Sequence, residues 1–342
     1  MAINLGLMFG FRNPAQWRRP FPEVYRNELR AIREAEVLGY DTIWLTEHHF
    51  AEDGYSPSVL PIAGAIAAQT ERVRIGTFLV LLPLNNAIRL AEDVATLDVI
   101  SNGRIDLGVG QGYAVHEYAA YGISRKERYA RFVEGIDVLR GLWTQASFSY
   151  RGKHYQIDDA RLMPRPVQSP HPPLWIGARG AKGIARAGRL GAHLLGLSSP
   201  EMQALYDAAL VEHGHDPKTK HAVQLHWVHV ARSADRAWAN AGPHFHHVLE
   251  TYGRWVGAAG DFESDALVAT PPAAHELRTT AKPLLFPPIF GTPDEVAAAL
   301  ARSMAQVRTT HLCLAMHLPG MDPALSHASM DLFAREVAPR LR

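Results

Sequence analysis

The stretch Asp41-Thr-Ile-Trp-Leu-Thr-Glu-His-His-Phe50 is the starting point for interpreting this chain. Its first half, Thr42 to Leu45, is continuously apolar or β-favouring, which is typical of a strand buried in a parallel sheet. Its second half, Glu47-His48-His49, places a carboxylate and two imidazoles at the carboxyl end of that strand. Because parallel α/β proteins carry their chemistry at that end, this stretch is the first candidate for a functional site.

Seven further segments have strand character and alternate with helical segments along the chain. The predicted strands are 3–9, 74–82, 105–109, 174–176, 193–195, 222–230 and 311–315. Sequential βα units of this number favour a (β/α)8 TIM barrel, and a doubly wound open sheet is the competing fold. No linker composition divides the sequence, so residues 1–342 are predicted to form a single domain.

Two segments interrupt the alternation of strands and helices. Residues 148–157 (FSYRGKHYQI) have the pattern of a hairpin that turns at Arg151-Gly152, and we predict that they form an insertion. From 252 to 288, glycine, alanine, proline and charged residues mix without a period. Long aperiodic segments in compact folds are often functional loops, so we predict a mobile lid with a short helix there.

Composition excludes several classes of function. Lys+Arg total 35 against 34 for Asp+Glu, and no basic stripe predicts a nucleic-acid partner. No apolar run is long enough to span a bilayer, and the N-terminus resembles a first strand rather than a signal peptide. The single cysteine, Cys313, excludes an internal disulfide framework and favours a reducing cytoplasm.

The paired histidines are candidates for proton transfer or for binding a polar ligand, because imidazole titrates near neutrality. Neighbouring side chains at a strand end face opposite ways, so only one of His48 and His49 is expected to face a barrel mouth. The pair alone leaves a structural role equally open. The sequence contains neither His-x-His at this strand nor His-Glu-x-x-His, and we predict no metal site. The cluster His244-x-His246-His247 is interpreted as a solvated helix face.

The turn after the fourth strand, Gly108 to Tyr113, has glycines at three alternate positions. Such glycines allow the backbone to approach a flat ligand closely. Gln111 offers an amide and Tyr113 an aromatic face to that ligand. Taken alone, the pattern is equally typical of a tight turn, and it lacks the spacing of a dinucleotide-binding fingerprint.

The loop Gly177-Ala-Arg-Gly-Ala-Lys-Gly183 joins the fifth strand to a helix. Backbone N–H groups at a helix N-terminus bind phosphate, and Arg179 and Lys182 add positive charge. We therefore predict a phosphate site there in preference to an ordinary connecting loop.

These residues resemble the bacterial luciferase-like family of flavin-dependent monooxygenases over nearly the whole chain. The most specific segments are Glu47-His-His-Phe50 and Asp98-Val-Ile-Ser-Asn-Gly-Arg104. Further similar segments are 39–46, Ile75-Gly-Thr with Leu82-Pro83, 91–97, 108–112, 172–191, Tyr206 with Gly214-His215-Asp216, and Gly291-Thr292-Pro293.

The resemblance implies a barrel that holds one FMN at its mouth and receives it reduced from a separate flavin reductase. Dioxygen would form a flavin hydroperoxide that oxygenates a small organic substrate. His48 matches the family's catalytic histidine, and 252–288 matches its lid. The matching cofactor positions are the cis-peptide pair Phe78 and Leu79, the flavin contacts Gln111 and Tyr113, and the phosphate loop Arg179, Gly180 and Ala181.

One departure and three open questions accompany the resemblance. Luciferase carries a reactive cysteine in the glycine turn where this chain has Gly110, so we predict a nonluminescent monooxygenase. A deazaflavin-dependent oxidoreductase and a non-catalytic flavin-binding barrel are the alternatives. The family pairs protomers through early helices, and Ala63-Gly64-Ala65 is small enough for close packing in a homodimer. The substrate is not predicted.

Overall fold

Eight parallel strands close into a barrel in which Thr42–Leu45 is the second strand. The computed structural model describes residues 2–261, 269–282, 284 and 286–342. The strands are β1 Asn4–Phe9, β2 Thr42–Leu45, β3 Arg74–Thr77, β4 Val80–Leu81, β5 Ile105–Gly110, β6 Phe148–Arg151, β7 Gln156–Ala160, β8 Leu174–Gly177, β9 His193–Leu195, β10 Ala222–Val230, β11 Ile289–Gly291 and β12 His311–Ala315. The barrel order is β1-β2-β3-β5-β8-β9-β10-β12, and β12 pairs again with β1. The predicted TIM barrel is confirmed, and the open sheet is excluded by this closure.

Helices between the strands cover the outside of the barrel. They are α1 Phe21–Val37, α2 Val59–Ala67, α3 Ala87–Ile100, α4 Val115–Ala120, α5 Arg128–Thr144, α6 Ala181–Arg189, α7 Pro200–Glu212, α8 Ala234–Ala259, α9 Pro293–Gln306 and α10 Pro323–Leu332. In the described part of the chain, none of them is both long and apolar enough to cross a membrane.

The barrel interior is organised around Trp44 of β2. Its indole is fully buried and meets the Trp175 ring edge-on at a centroid distance of 5.5 Å. A Cβ added at Gly76 would lie 2.4 Å from this indole, and one added at Gly6 would lie 2.5 Å from it. Glycine on both flanking strands therefore makes room for one large side chain that fills the barrel.

The third strand is shorter than predicted. Regular pairing stops at Thr77, whose hydroxyl donates to the Gly108 carbonyl at 2.7 Å and accepts the Gly108 N–H at 2.9 Å. The next peptide bond, Phe78-Leu79, is cis, as the resemblance implied, and Val80–Leu81 then pairs with β5 as a separate strand. The prediction of one continuous strand over 74–82 was wrong, because the apolar pattern of the sequence does not reveal the hydrogen bonds between the Thr77 side chain and Gly108 that interrupt it.

The segment predicted as a lid begins later than its pattern indicated. Helix α8 runs on through Ala259 and ends at Gly260 in the left-handed conformation, with a φ of 58°. Because Val256 and Gly253 continue its buried face, the aperiodic assignment of 252–259 was wrong. A single 3-10 turn covers Ala274–Glu276. Residues 262–268, 283 and 285 lie outside the described residues, and the mobility of the lid stays a prediction.

Two other predictions concern local packing. The hairpin is confirmed, since β6 and β7 pair antiparallel with Arg151 opposite Gln156. In α2, a Cβ at Gly64 would lie 3.5 Å from Leu97 on α3, and Ala63 is buried. The small residues of α2 thus pack at least partly within the chain, and the homodimer stays a prediction.

Candidate active site

A cavity of about 1070 Å³ occupies the carboxyl end of the barrel. All of the residues predicted from the sequence to form the site line this one cavity: His48, Phe78, Leu79, Gln111, Tyr113, Arg179, Gly180 and Ala181. They come from the ends of four strands, β2, β3, β5 and β8, which the closed barrel brings to one mouth.

The imidazole of His48 is held by a buried carboxylate. Its Nδ1 lies 2.8 Å from Oε1 of Glu117 on α4, and Glu117 is fully buried. The same oxygen accepts the backbone N–H of His49 at 2.9 Å. Among the described residues, no group is bonded to His48 Nε2, while the side chain lines the cavity. A carboxylate at Nδ1 favours the tautomer with its proton there, so Nε2 presents a lone pair.

Aromatic rings surround His48 on the side of α8. The ring centroids of Trp255 and Tyr55 lie 4.6 and 4.8 Å from the imidazole, with Tyr252 at 5.7 Å and Tyr113 at 6.0 Å. The hydroxyls of Tyr55 and Tyr252 are 2.7 Å apart. Burial raises the pKa of all three phenols, which are therefore neutral groups that can donate a proton in a hydrogen bond.

His49 has a different environment from its neighbour. Its Nε2 lies 2.9 Å from Oε1 of Glu47, and its Nδ1 lies 3.2 Å from the hydroxyl of Tyr121. Both ring nitrogens are thus engaged within the protein, which leaves His49 to hold the loop after β2 in place.

Helix α8 is braced against that loop by charged groups. His247 and Arg12 lie 3.1 and 2.6 Å from Asp53, and the Arg12 guanidinium stands 4.6 Å from the centre of the Tyr55 ring. Burial alone would raise the pKa of Asp53, but the hydrogen bond from His247 and the Arg12 charge lower it to about 2. The sequence predicted that His244, His246 and His247 lie on a solvated helix face. That prediction was wrong, because α8 turns His247 and the buried His244 toward the protein.

The cavity floor is built on Leu79. A Cβ added at Gly177 would lie 2.2 Å from Leu79 Cδ2, and one added at Gly110 would lie 2.7 Å from Leu79 Cδ1. The two glycines therefore allow the Leu79 side chain to lie flat between β5 and β8. The resemblance matched Gly110 to the luciferase cysteine, and a larger side chain there would require Leu79 to move.

Positive charge collects in the loop that joins β8 to α6. The loop through Arg179 and Gly180 leads into α6, and no side chain of the described residues caps that helix. Lys182 and Arg186 also line the cavity. Uncapped N–H groups with adjacent cations are the arrangement that binds a phosphate.

The end of α8 closes this charged region. Asp261 lies 2.7 Å from Arg125 and 3.0 Å from Arg128, both near the start of α5. Burial would raise the pKa of Asp261, but the two arginines lower it. Arg128 and Asp261 both line the cavity, so the ion pairs of Asp261 attach the predicted lid segment, 252–288, to the cavity wall.

The cavity fits a flat cofactor that carries a phosphate. It has an apolar floor at Leu79 and a helix N-terminus flanked by cations. The hydroxyl of Tyr113 is buried and has no hydrogen-bond partner among the described residues. An unpaired buried hydroxyl is costly, so a ligand group that bonds it is expected in the cavity.

Sequence reasoning missed Glu117, Tyr252 and Trp255. Glu117 was hidden because α4 has only six residues and follows a turn whose period is unclear. Tyr252 and Trp255 fell into the segment interpreted as aperiodic. A carboxylate soon after the glycine turn was the one available signal, since loops after barrel strands meet at the mouth.

The fold and the cavity define a (β/α)8 barrel with a carboxylate-bound imidazole beside a cofactor-sized cavity. The family model for luciferase-like monooxygenases matches residues 3–311, and the chain belongs to that family. Monooxygenase RslO1 from Streptomyces bottropensis superposes with a TM-score of 0.83 at 27% identity, covering 99% of this chain and 100% of that one.

Relatives by sequence divide between two cofactors. An F420-dependent glucose-6-phosphate dehydrogenase of Amycolatopsis mediterranei is 30% identical over 91% of this chain and 93% of its own length. The oxygenase component of a flavin-dependent trigonelline monooxygenase from Acinetobacter baylyi is 31% identical, over 46% of this chain and 44% of its own. The family therefore consists of oxidoreductases that use flavin-type cofactors.

Proposed function

We propose that this chain is the oxygenase component of a two-component monooxygenase, which uses reduced FMN and dioxygen to oxygenate a small organic substrate. The observation that carries the proposal is the His48–Glu117 pair, whose imidazole lines the aromatic end of a cofactor-sized cavity. The monooxygenase names among the relatives support it, and FMN would come from a separate flavin reductase.

The residues present suit FMN. Leu79 would support its ring, Gln111 and Tyr113 would bond its polar edge, and Arg179 with the start of α6 would hold its phosphate. Reduced FMN supplies the electrons that activate dioxygen.

His48 is proposed to handle the proton of the reaction. Nε2 accepts a proton from a group in the cavity, and the carboxylate of Glu117 stabilises the imidazolium that results. Nε2 then returns the proton to a developing oxygen anion. Such a positioned base contributes about a hundredfold to ten-thousandfold to a rate.

The rings of Tyr252 and Trp255 are proposed to exclude water from His48. Their hydrocarbon surface lowers the local dielectric, which strengthens the hydrogen bond between Nδ1 and Glu117. Without such cover, the electrons that reduced FMN supplies would be spent on reducing dioxygen to hydrogen peroxide, and the substrate would not be oxygenated.

Anaerobic titration followed by air tests the proposal. Purified protein is titrated with photoreduced FMN under argon and mixed with aerated buffer, and near-ultraviolet absorbance and peroxide release are followed. We expect tight binding of reduced FMN, and reoxidation that His48→Gln slows by at least tenfold relative to His213→Gln, an exposed control on the surface. Failure of reduced FMN to bind rules the proposal out, whereas binding with no effect of His48→Gln supports a flavin-binding barrel without turnover.

The second candidate is hydride transfer with a deazaflavin. It is favoured by the F420-dependent relative that aligns over 91% of this chain. Parallel titrations with reduced FMN and reduced F420 decide between the two, because the enzyme's own cofactor is expected to bind at least tenfold more tightly. The homodimer is a separate proposal, and sedimentation at several protein concentrations tests it.

A further inference from the structure

The barrel wall has an opening along one edge of β10. On one side, β10 pairs with β12 continuously from Val223 to Trp227. On the other side, it pairs with β9 only at 222–223 and with β11 only at 228–230. Between these two strands, residues 224–227 face no other strand in the part of the chain that the structure describes. We call this gap the wall opening.

The hydrogen bonds on either side of the wall opening show which backbone N–H and C=O groups of β10 point into it. Val223 accepts from the Gly196 N–H at 3.0 Å, and the Ala231 N–H donates to Gly291 at 3.0 Å, both on this edge. Alternate residues of a parallel strand point their backbone groups to the same edge. The N–H and C=O of Leu225 and the N–H of Trp227 thus point into the opening, and no described residue supplies them a backbone partner.

The same cavity that holds the candidate active site reaches this opening. Leu195, Leu225, Trp227, Ile289 and Ser303 all line it. Backbone groups that are cut off from water need a hydrogen-bond partner, so a ligand that enters the cavity and covers Leu225 and Trp227 would have to bond these three groups.

The rim of the wall opening is polar but uncharged. Gln224 accepts from the hydroxyl of Ser303 at 3.0 Å, and His226 Nε2 lies 3.2 Å from the same amide oxygen. Burial lowers the pKa of His226 to about 4, so the imidazole is neutral at physiological pH. A charged group would lose its hydration there without gaining an ionic partner, which favours a neutral polar ligand.

We propose that the wall opening binds a secondary amide of a ligand. The Leu225 N–H, the Leu225 C=O and the Trp227 N–H form a row of donor, acceptor and donor, as the free edge of a strand presents to an added parallel strand. An extended ligand segment that contains amides can form hydrogen bonds with this row. Strands β8 and β9 are neighbours, so the phosphate loop after β8 lies one strand away from this opening. A ligand that joins an anionic group to a secondary amide is therefore the best match.

The amide can belong to a substrate or to the portion of a cofactor beyond its phosphate. The first arm of the test uses N-acetylglycine N-methylamide, added to protein saturated with FMN and followed by calorimetry. Methyl N-acetylglycinate, which has an ester oxygen in place of the second N–H, is the matched probe. We expect the diamide to bind about fivefold more tightly, the effect of one net hydrogen bond.

The second arm compares F420, whose tail contains glutamyl amides, with the same deazaflavin ending at its phosphate. A preference for the tailed form that disappears when the opening is blocked assigns the amide to the cofactor. A diamide preference in the first arm alone assigns it to a substrate. Absence of both preferences in the wild-type protein overturns the inference.

Two variants alter the opening in different ways. Leu225→Pro removes the unpaired N–H without breaking a ladder hydrogen bond, as proline at an unpaired strand edge allows. Ser303→Phe fills the opening from α9, and Ala301→Phe on the exposed face of the same helix is its control.

We expect Ser303→Phe to abolish the amide preference and Ala301→Phe to keep it, whereas Leu225→Pro should weaken the binding of both probes, because the N–H that it removes would bond the acetyl carbonyl that they share. Retention of the preference by a folded Ser303→Phe contradicts the inference, even if Leu225→Pro fails to fold. The inference goes beyond the proposed function. FMN affinity measured on the same samples separates the two, because FMN binding without amide binding rejects only the wall opening.

Discussion

Replacing Glu117 with glutamine removes the negative charge beside His48 but keeps the size of the side chain, so it measures how much that charge contributes to the reaction rate. The carboxylate accepts two hydrogen bonds on one oxygen, from His48 Nδ1 at 2.8 Å and from the His49 N–H at 2.9 Å, and it is fully buried. A hydrogen bond to a charged group contributes about 1.5–3 kcal/mol and a neutral one about 1 kcal/mol. The difference of roughly 0.5–2 kcal/mol predicts a rate lower by about twofold to thirtyfold. If the amide nitrogen faces Nδ1, the imidazole tautomer inverts and the loss is larger.

Glu47→Gln is the matched control for this substitution. Glu47 is also a buried carboxylate bonded to an imidazole, with 2.9 Å between Oε1 and His49 Nε2. Glu47 itself lines the cavity, but His49, the imidazole that it holds, does not. Stopped-flow oxidation of bound reduced FMN, recorded from pH 5 to 9, is the assay. We expect Glu117→Gln to lower the rate and shift its pH profile, and Glu47→Gln to leave the profile in place. Equal rates for Glu117→Gln and wild type would refute the assignment of a proton-handling pair.

Further expected outcomes concern the cofactor site and stability. Gly177→Ala places a Cβ 2.2 Å from Leu79, so FMN affinity should fall by at least tenfold in fluorescence titration. The exposed Gly122 has a φ of 66° and no atom within 4 Å of an added Cβ, so Gly122→Ala should lower stability but leave FMN affinity unchanged. Arg179→Ala should weaken FMN binding but not riboflavin binding, because only FMN carries a phosphate; equal losses would place the phosphate elsewhere. Gly76→Ala forces Trp44 to move and should lower the free energy of unfolding by about 1–3 kcal/mol in urea titration. Burial lowers the pKa of His193 and His311 to about 3 in the folded protein. As the pH falls below about 6.5, these two histidines therefore become protonated in the unfolded chain while they are still neutral in the folded one. Stability should therefore decrease below pH 6.5, by about 2.7 kcal/mol per pH unit near pH 5 for the two groups, and His311→Gln should reduce that slope.

The sequence predicted the barrel because its evidence is local and repeated. Strands such as Thr42–Leu45 and Leu174–Gly177, whose residues are apolar or β-favouring, are separated by helices with clear ends, and few topologies accommodate that alternation. The interruption after Thr77 was not predictable, because it depends on a side-chain hydrogen bond to Gly108 on the next barrel strand. The length of α8 was missed because its inward face mixes small and polar residues that are buried only by tertiary contact.

For the site, the sequence alone determined the chemical groups that the barrel mouth carries: the paired histidines, the glycine turn and the cationic loop. These follow strand ends, and strand ends can be read from local pattern. Tertiary structure decided which histidine faces the cavity, that Glu117 holds it, and that Tyr252 and Trp255 cover it. It also decided that β10 has an unpaired edge beside the cavity. Such facts depend on which distant segments meet, and packing between segments far apart in the chain is not recorded in local periodicity.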